Sequence, residues 1–258
     1  MARRMALQGA EVVGVYELMD TPSGLRRSIV QCLDDFGIPL ELSCTVTRLE
    51  GEGRLEAVWV SDVDSATLSP LTGTERRVPC DTLLLSVGLL PENELAKTVE
   101  VQLDAVTGGA QVDDALQTSV PGIFACGNAL HIHDLADYAS EEGEKAGMSA
   151  ALRAAGAEEA RMAIAPASVM VGEGVRYVVP QQVRQGKRVI FSLRPSRPLR
   201  NGHLVIEAHL ADGSKKILKT KRVTVAVPAE MMRTPIDVPE ESGLLSVSVR
   251  LEAGGDVE

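Results

Sequence analysis

The beginning of the chain alternates apolar and polar residues with the periods of short helices and strands. Met1–Gly9 has the pattern of the second half of an amphipathic helix, ended by its glycine. Glu11–Leu18 predicts a strand, and Leu25–Phe36 predicts a helix with its apolar residues on one face. A helix that leads directly into a strand is half of a βαβ unit, so we expect the first strand and glycine-rich turn of that unit to lie outside this sequence.

Hairpin and buried-strand patterns follow in the middle of the chain. Pro39–Glu50 and Arg54–Asp62 alternate around a glycine-containing turn, which predicts a hairpin. Pro79–Gly88 and Ile123–Cys126 are continuous apolar runs, which predict buried strands. Asp134–Ala155 predicts a long helix with acidic residues in its first turns.

The pattern changes to β structure alone after Val169. Ala211–Gly213 predicts a hairpin turn between two of the strands. The sequence therefore predicts a small all-β module, most simply a sandwich. Its five predicted strands are Val175–Val179, Arg188–Leu193, His203–Leu210, Lys215–Val227 and Leu244–Leu251.

These patterns predict an α/β fold, a partial Rossmann-like dinucleotide-binding fold followed by the small β domain. We expect domains at residues 1–78, 79–165 and 166–258. The charge is divided unevenly: residues 1–165 hold 12 basic and 26 acidic side chains, and residues 166–258 hold 14 and 10. Such a division favours domains of different character.

Composition narrows the classes of function. An aromatic content of 3% and a net charge of −10 argue against nucleic-acid binding and against a general affinity for anionic membranes. No apolar run is long enough for a membrane span. The cysteines are free of Cys-x-x-Cys and of zinc or iron–sulfur spacing, which favours reduced thiols in a cytoplasmic protein. They are Cys32, Cys44, Cys80 and Cys126.

The stretch Thr118–Asn128 (TSVPGIFACGN) carries the most specific signal. A proline–glycine turn leads into an apolar run, and Gly127 then lets a ligand approach the backbone at the end of that run. The stretch resembles the second FAD-binding motif of the two-dinucleotide-domain flavoproteins, the family of thioredoxin reductase and glutathione reductase. Asn128 stands where that family usually has Asp, so its contact with a ribityl hydroxyl would lack charge. A buried strand that ends in a simple Gly-Asn turn is the other interpretation.

A second segment of the same family resemblance lies upstream. Ser86-Val87-Gly88, with Pro91 after it, resembles the A-x-G-x-x-P-N segment that returns the chain to the FAD domain. The resemblance implies that Gly88 passes close to FAD. It also implies that the first turn of the Asp134–Ala155 helix faces the flavin near Asp137 and Tyr138.

Glu17 ends the predicted strand Glu11–Leu18. An acidic residue there would hold the ribose of a nicotinamide dinucleotide and favour NAD over NADP. A solvent-facing glutamate is the other interpretation. His131 and His133 invite a metal or substrate role, but two histidines at this spacing without a third ligand are more often loop residues, and we predict no metal site.

The resemblance implies a FAD-dependent oxidoreductase that transfers hydride between NAD(P)H and flavin, present here as its carboxyl-terminal portion. The catalytic residues are not predicted. The β domain resembles those of bacterial FAD-dependent oxidoreductases that accompany anaerobic glycerol-3-phosphate dehydrogenase. The alternative is a non-catalytic fragment, or a partner subunit of a complete flavoprotein dehydrogenase, since neither glycine loop is in this sequence.

Overall fold

The computed structural model describes residues 1–22, 24–157, 164–240 and 243–254. It divides into two compact units, Met1–Val87 and Gly88–Glu258. Among the described residues, no helix combines the length and apolar character needed to cross a membrane.

The first unit begins with a parallel crossover. Strands β1 and β2 pair in parallel, with Val15 opposite Leu40, and helix α2 connects them. The predicted helices are confirmed, but only two residues of the predicted strand Glu11–Leu18 pair. The elements are α1 (Ala2–Leu7), β1 (Val15–Tyr16), α2 (Arg26–Cys32), a 3-10 turn (Asp34–Phe36) and β2 (Leu40–Glu41).

An antiparallel three-stranded sheet completes the first unit. It consists of β3 (Cys44–Glu50), β4 (Ala57–Asp62) and β5 (Arg76–Pro79), in that order. The hairpin predicted from alternation is therefore confirmed. Its small core is formed by Cys44 and by two valines of β4, because alternate residues of the strand face the same side.

The predicted buried strand Pro79–Gly88 is wrong. β5 ends at Pro79, and the apolar residues that follow form no strand. Leu85, Val87 and Leu90 are 69%, 90% and 92% exposed. The apolar run is a strand only when neighbouring strands pair with it on both sides, and no strand among the described residues does so.

The second unit begins with α3 (Glu94–Thr98) and a compact irregular segment. The predicted buried strand Ile123–Cys126 is also wrong: it makes one isolated bridge, between Gln117 and Phe124, and is half-buried. Its side chains instead pack onto a cluster that includes Leu130, so tertiary contacts replace a sheet ladder. The long helix is confirmed as α4 (Ala136–Ala154).

The β module is a two-sheet sandwich. The five-stranded sheet has the order β11-β10-β13-β6-β8 and the three-stranded sheet the order β12-β9-β7. All five predicted strands are confirmed, and β6, β8 and β12 were missed. The strands are β6 (Ala167–Val171), β7 (Val175–Val179), β8 (Gln182–Val183), β9 (Arg188–Pro195), β10 (Leu199–Leu210), β11 (Lys215–Ala226), β12 (Met232–Asp237) and β13 (Leu244–Ala253).

The sandwich core lies between the inner faces of these two sheets. It is made of alternate residues of facing strands, which confirms the predicted α/β fold with a small β domain at the carboxyl end. A second cluster joins Tyr177 and Val179 of β7 to Leu130 and Ala146. The segment with the Gly127–Asn128 turn therefore packs against the β module. The largest fully buried side chains of the sandwich core include Phe191, Leu193, Leu204 and Ile206.

Candidate functional site: the turn before helix α4

The turn Gly127–Ala129 is one turn of 3-10 helix between the half-buried Ile123–Cys126 segment and α4. Gly127 has a φ of +64°, a left-handed conformation that favours glycine. Its N–H donates to Glu142 Oε2 at 3.0 Å. Asn128 is exposed, and its Oδ1 accepts the backbone N–H of His133 at 3.1 Å. The Asn128 carboxamide therefore stabilises the loop between the turn and α4, and it remains exposed to solvent.

Helix α4 begins shortly after this turn without a side-chain cap. Leu135 is its N-cap residue and makes no side-chain capping hydrogen bond, while the Tyr138 N–H donates to the Leu135 carbonyl at 3.2 Å. Asp137 is exposed in that turn. The ring of Tyr138 lies 4.3 Å below the guanidinium carbon of Arg233, which also pairs with Glu141 at 2.7 Å.

Asn93 attaches the upstream segment to the turn. It is buried, and its Nδ2 donates to the carbonyl groups of Gly108 at 3.0 Å and of Ala129 at 2.8 Å. Asn93 was given no role from the sequence: Glu92 occupies the asparagine position of the family segment, and Asn93 follows it by one residue. Gly88 has a φ of +97° and open space around its Cβ position, so the structure leaves it exposed rather than packed against the turn.

A buried cluster lies beside the turn. His131 Nε2 and His133 Nε2 lie 2.7 and 2.8 Å from Glu142 Oε1 and Oε2. The three side chains are 1%, 2% and 11% exposed. Sequence analysis missed Glu142, because its distance from the histidines in space depends on how α4 packs. The structure thus supplies the third ligand whose absence had favoured a simple loop.

Burial and charge determine the ionisation of this cluster. Burial lowers the pKa of His131, although the adjacent Glu142 opposes that shift. Burial alone would raise the pKa of Glu142, but hydrogen bonds and charge from the two histidines outweigh it and lower the pKa to about 2. Glu142 is therefore ionised at neutral pH.

Arg194 holds the loop that carries the two histidines. Its guanidinium donates to Tyr177 Oη at 3.0 Å, to the Ile132 carbonyl at 3.1 Å and to Asp134 Oδ1. It also donates to the Ala229 carbonyl at 2.8 Å. Burial works against the charged form, but these partners raise the pKa of Arg194. The arginine fixes the loop between the turn and α4 to the β module.

Glu17 lies in the first unit. It follows β1 directly, and its backbone N–H donates to the Glu41 carbonyl at 2.8 Å. Its Oε1 accepts the Met19 N–H at 3.1 Å. The side chain is half-buried at the carboxyl end of the parallel pair, where a dinucleotide-binding fold places its ribose-binding acid.

A parallel crossover in the first unit and a glycine turn before a helix in the second are features of α/β proteins of the dinucleotide-binding class. The family model "Pyridine nucleotide-disulphide oxidoreductase" matches residues 2–143, more than half of the chain. The chain belongs to this family, whose members bind FAD and NAD(P)H and catalyse redox reactions with them.

Individual proteins are similar to part of the chain. The chain is 40% identical over 141 residues to the mitochondrial dihydrolipoyl dehydrogenase of Caenorhabditis elegans, covering 52% of this chain and 27% of the relative. It is 33% identical over 96 residues to the ferredoxin–NAD(+) reductase component of the biphenyl dioxygenase system of Paraburkholderia xenovorans (strain LB400), covering 37% and 20%. The thioredoxin reductase structure from T. acidophilum aligns with a TM-score of 0.46 and 28% identity, covering 54% of this chain and 43% of that one. The chain spans about a fifth to a quarter of the length of these two curated relatives.

Proposed function

We propose that the chain is the carboxyl-terminal part of a FAD-dependent oxidoreductase that exchanges hydride and electrons between NAD(P)H and flavin. The observation that carries this proposal is the Gly127–Asn128 turn, with its exposed Asn128, shortly before α4 and within the segment that the family model matches. A turn with an exposed carboxamide, near a helix N-terminus whose N-cap side chain makes no hydrogen bond, suits a ligand with hydroxyl and carbonyl oxygens. The residues present therefore fit FAD.

Bound FAD would supply the redox chemistry, accepting hydride and passing electrons on. The chain's own residues would bind and orient it. Asn128 would hydrogen-bond a ribityl hydroxyl through its exposed carboxamide, and Gly127 would keep that backbone free of a side chain. The first turn of α4, near Asp137 and Tyr138, would direct amide groups at the pyrimidine edge of the flavin, and Gly88 would approach it from the return segment.

Glu17 supports a preference for NAD. A carboxylate at the end of β1 accepts hydrogen bonds from ribose hydroxyls and repels a 2′-phosphate. Saturation-transfer NMR with NAD⁺ and NADP⁺ tests this. We expect the NAD⁺ signal to exceed the NADP⁺ signal, and Glu17→Gln to reduce the difference. An equal response to both dinucleotides in the unaltered chain would contradict the proposal.

A second candidate is a partner subunit of a separate, complete flavoprotein. The exposed apolar side chains of Leu85 and Val87, at the end of the first unit, favour it, because exposed apolar surface is typical of regions that another polypeptide covers. We also propose, for either candidate, a cytoplasmic location and a relationship of the β module to those of bacterial FAD-dependent oxidoreductases that accompany anaerobic glycerol-3-phosphate dehydrogenase. Co-purification with a flavoprotein that retains its FAD without this chain would favour the second candidate.

Titration calorimetry with FAD tests the role of Asn128. We expect Asn128→Asp to tighten binding about five- to tenfold, because a charged acceptor adds about 1 kcal/mol to the hydrogen bond. We expect Asn128→Ala to weaken binding. Asn201→Asp makes the same chemical change at an exposed position of the β module and serves as the control. Equal FAD affinity in all three variants would exclude Asn128 from the site.

A further inference from the structure

Three metal-binding side chains meet beside the Gly127–Asn128 turn. We propose that His131, His133 and Glu142 form a site for one divalent transition-metal ion, with Zn²⁺ the ion that suits the donor set best. One potential ligand atom from each residue lies within 4.8 Å of the others. The inference does not depend on FAD binding, since none of the three residues is assigned to FAD.

The donor types match a known coordination class. Two imidazole nitrogens and one carboxylate oxygen bind Zn²⁺ at about 2.0–2.2 Å and leave a fourth position for water or another ligand. The same donors bind Co²⁺, Ni²⁺ and Cu²⁺, whereas Mg²⁺ and Ca²⁺ prefer all-oxygen sites. The site therefore favours a borderline transition metal over the abundant hard cations.

The geometry brings the donors together from two directions. The two imidazole rings come from one short loop, with centroids 4.4 Å apart and planes tilted by 59°. Glu142 enters from α4 and directs one oxygen at each Nε2 atom. Tetrahedral donors around zinc lie about 3.3 Å apart, and the present nitrogen–oxygen distances are 2.7 and 2.8 Å. Each donor would move outward by a few tenths of an ångström to accommodate the ion.

The electrostatics favour a cation at this position. The acidic side chain of Glu142 is only 11% exposed and faces both imidazole rings. The guanidinium of Arg194 is paired with Asp134. A divalent ion would offset the buried negative charge that remains.

The hydrogen-bonding of the histidines is incomplete without a further partner. The Nδ1 atoms of both His131 and His133 are buried and lack a hydrogen-bond partner within the part of the chain that the structure describes. With a metal at the two Nε2 atoms, each Nδ1 would carry the proton and donate it to an ordered water molecule, which is a usual partner for the second ring nitrogen of a metal-binding histidine. A metal would connect the loop after Gly127 to the second turn of α4 and so stiffen the turn itself.

Metal binding can be measured directly on the whole chain without FAD. After dialysis against a chelator, the chain is titrated with Zn²⁺ by calorimetry and with Co²⁺ by visible absorption, which distinguishes tetrahedral from octahedral coordination. We expect one strong site per chain with a tetrahedral Co²⁺ spectrum. Glu142→Gln and His133→Gln should each weaken binding at least tenfold.

Matched controls separate this site from surface binding. Glu144→Gln changes an exposed glutamate of the same helix, and His209→Gln changes a histidine that lies 3.5 Å from Glu207. Both controls should bind like the unaltered chain. NMR of the four histidines in the unaltered chain needs no variant: Co²⁺ should broaden or shift His131 and His133 before the other two. The absence of a strong site, or binding that survives Glu142→Gln and disappears in His209→Gln, would overturn the proposal.

Discussion

The backbone of Gly109 packs closely against the backbone of Leu130, the residue after the Gly127–Ala129 turn. A Cβ atom added there would lie 1.6 Å from the carbonyl oxygen of Leu130, and backbone cannot move aside as a flexible side chain can. We expect Gly109→Ala to lower the free energy of unfolding by about 1–3 kcal/mol through overpacking. Differential scanning calorimetry of the variant measures the change.

Gly147 provides the control for this substitution. It lies in the exposed interior of α4, where an added Cβ meets nothing within 4 Å. Gly147→Ala should raise the free energy of unfolding by up to about 1 kcal/mol, because alanine favours helix. Equal melting temperatures for the two alanine variants would show that the Gly109–Leu130 contact does not limit the fold.

Cys126 should react slowly with alkylating agents. Burial, followed by the negative charge of Glu142, raises the pKa of its thiol above the ordinary value of 9.0. Because a thiol is a neutral acid, a raised pKa preserves the unreactive form to higher pH. The iodoacetamide rate at Cys126, followed by peptide mass spectrometry, should still rise beyond pH 9 in the native chain. A native rate that levels off below pH 9 would contradict this.

At the scale of elements, an ion pair joins the irregular segment to the β module. Arg184, between β8 and β9, contacts Asp113 Oδ2 and lies 3.2 Å from Asp114 Oδ1, and all three side chains are at most 9% exposed. Arg184→Met removes the cation that faces two buried carboxylates. We expect a loss of about 3–5 kcal/mol in unfolding free energy, measured by calorimetry.

The ion pair of Arg54 and Asp81 is exposed and serves as the control for the buried Arg184 pair. Its nitrogen–oxygen distance is 2.8 Å, but the two side chains are 76% and 67% exposed. Water and salt screen such a pair, so Arg54→Met should leave the melting temperature unchanged. A loss in Arg54→Met as large as that in Arg184→Met would show that burial does not decide the strength of these pairs.

The elements predicted correctly are those whose signal is local. Helix α4 and strands such as β7 and β13 follow from the spacing of apolar residues along the chain. The strand predicted at Pro79–Gly88 is absent, because a continuous apolar run forms a buried strand only where neighbouring strands pair with it. Strand β12 was missed because Pro235 interrupts its pattern, although a proline can occupy an edge strand.

The same distinction between local signals and contacts made by folding applies to the residues of the candidate site. Gly127 and Asn128 were found because a motif of consecutive residues carries them. Glu142 was missed because its contact with His131 and His133 depends on how the loop folds against α4. Asn93 was missed for the same reason, since its two acceptors are the carbonyl groups of Gly108 and Ala129.

At the scale of the whole molecule, the exposed apolar segment should drive association. Leu85 and Leu90 have 69% and 92% of their surface exposed. We expect the double substitution Leu85→Ser and Leu90→Ser to reduce self-association, measured by sedimentation velocity, without lowering the melting temperature. Met148→Ser, at an exposed apolar position on α4, is the control and should not change association. Unchanged association in the double variant would mean that the segment is not a contact surface.

The central claim is that the turn before α4 contributes to a flavin site. The most direct measurement is the visible absorption spectrum of the purified chain after incubation with FAD and gel filtration, repeated with Asn128→Ala. The account predicts flavin absorption that elutes with the unaltered chain, less of it with the variant, and bleaching when NADH is added. A folded chain that elutes without flavin, or an unaffected Asn128→Ala spectrum, would contradict the claim.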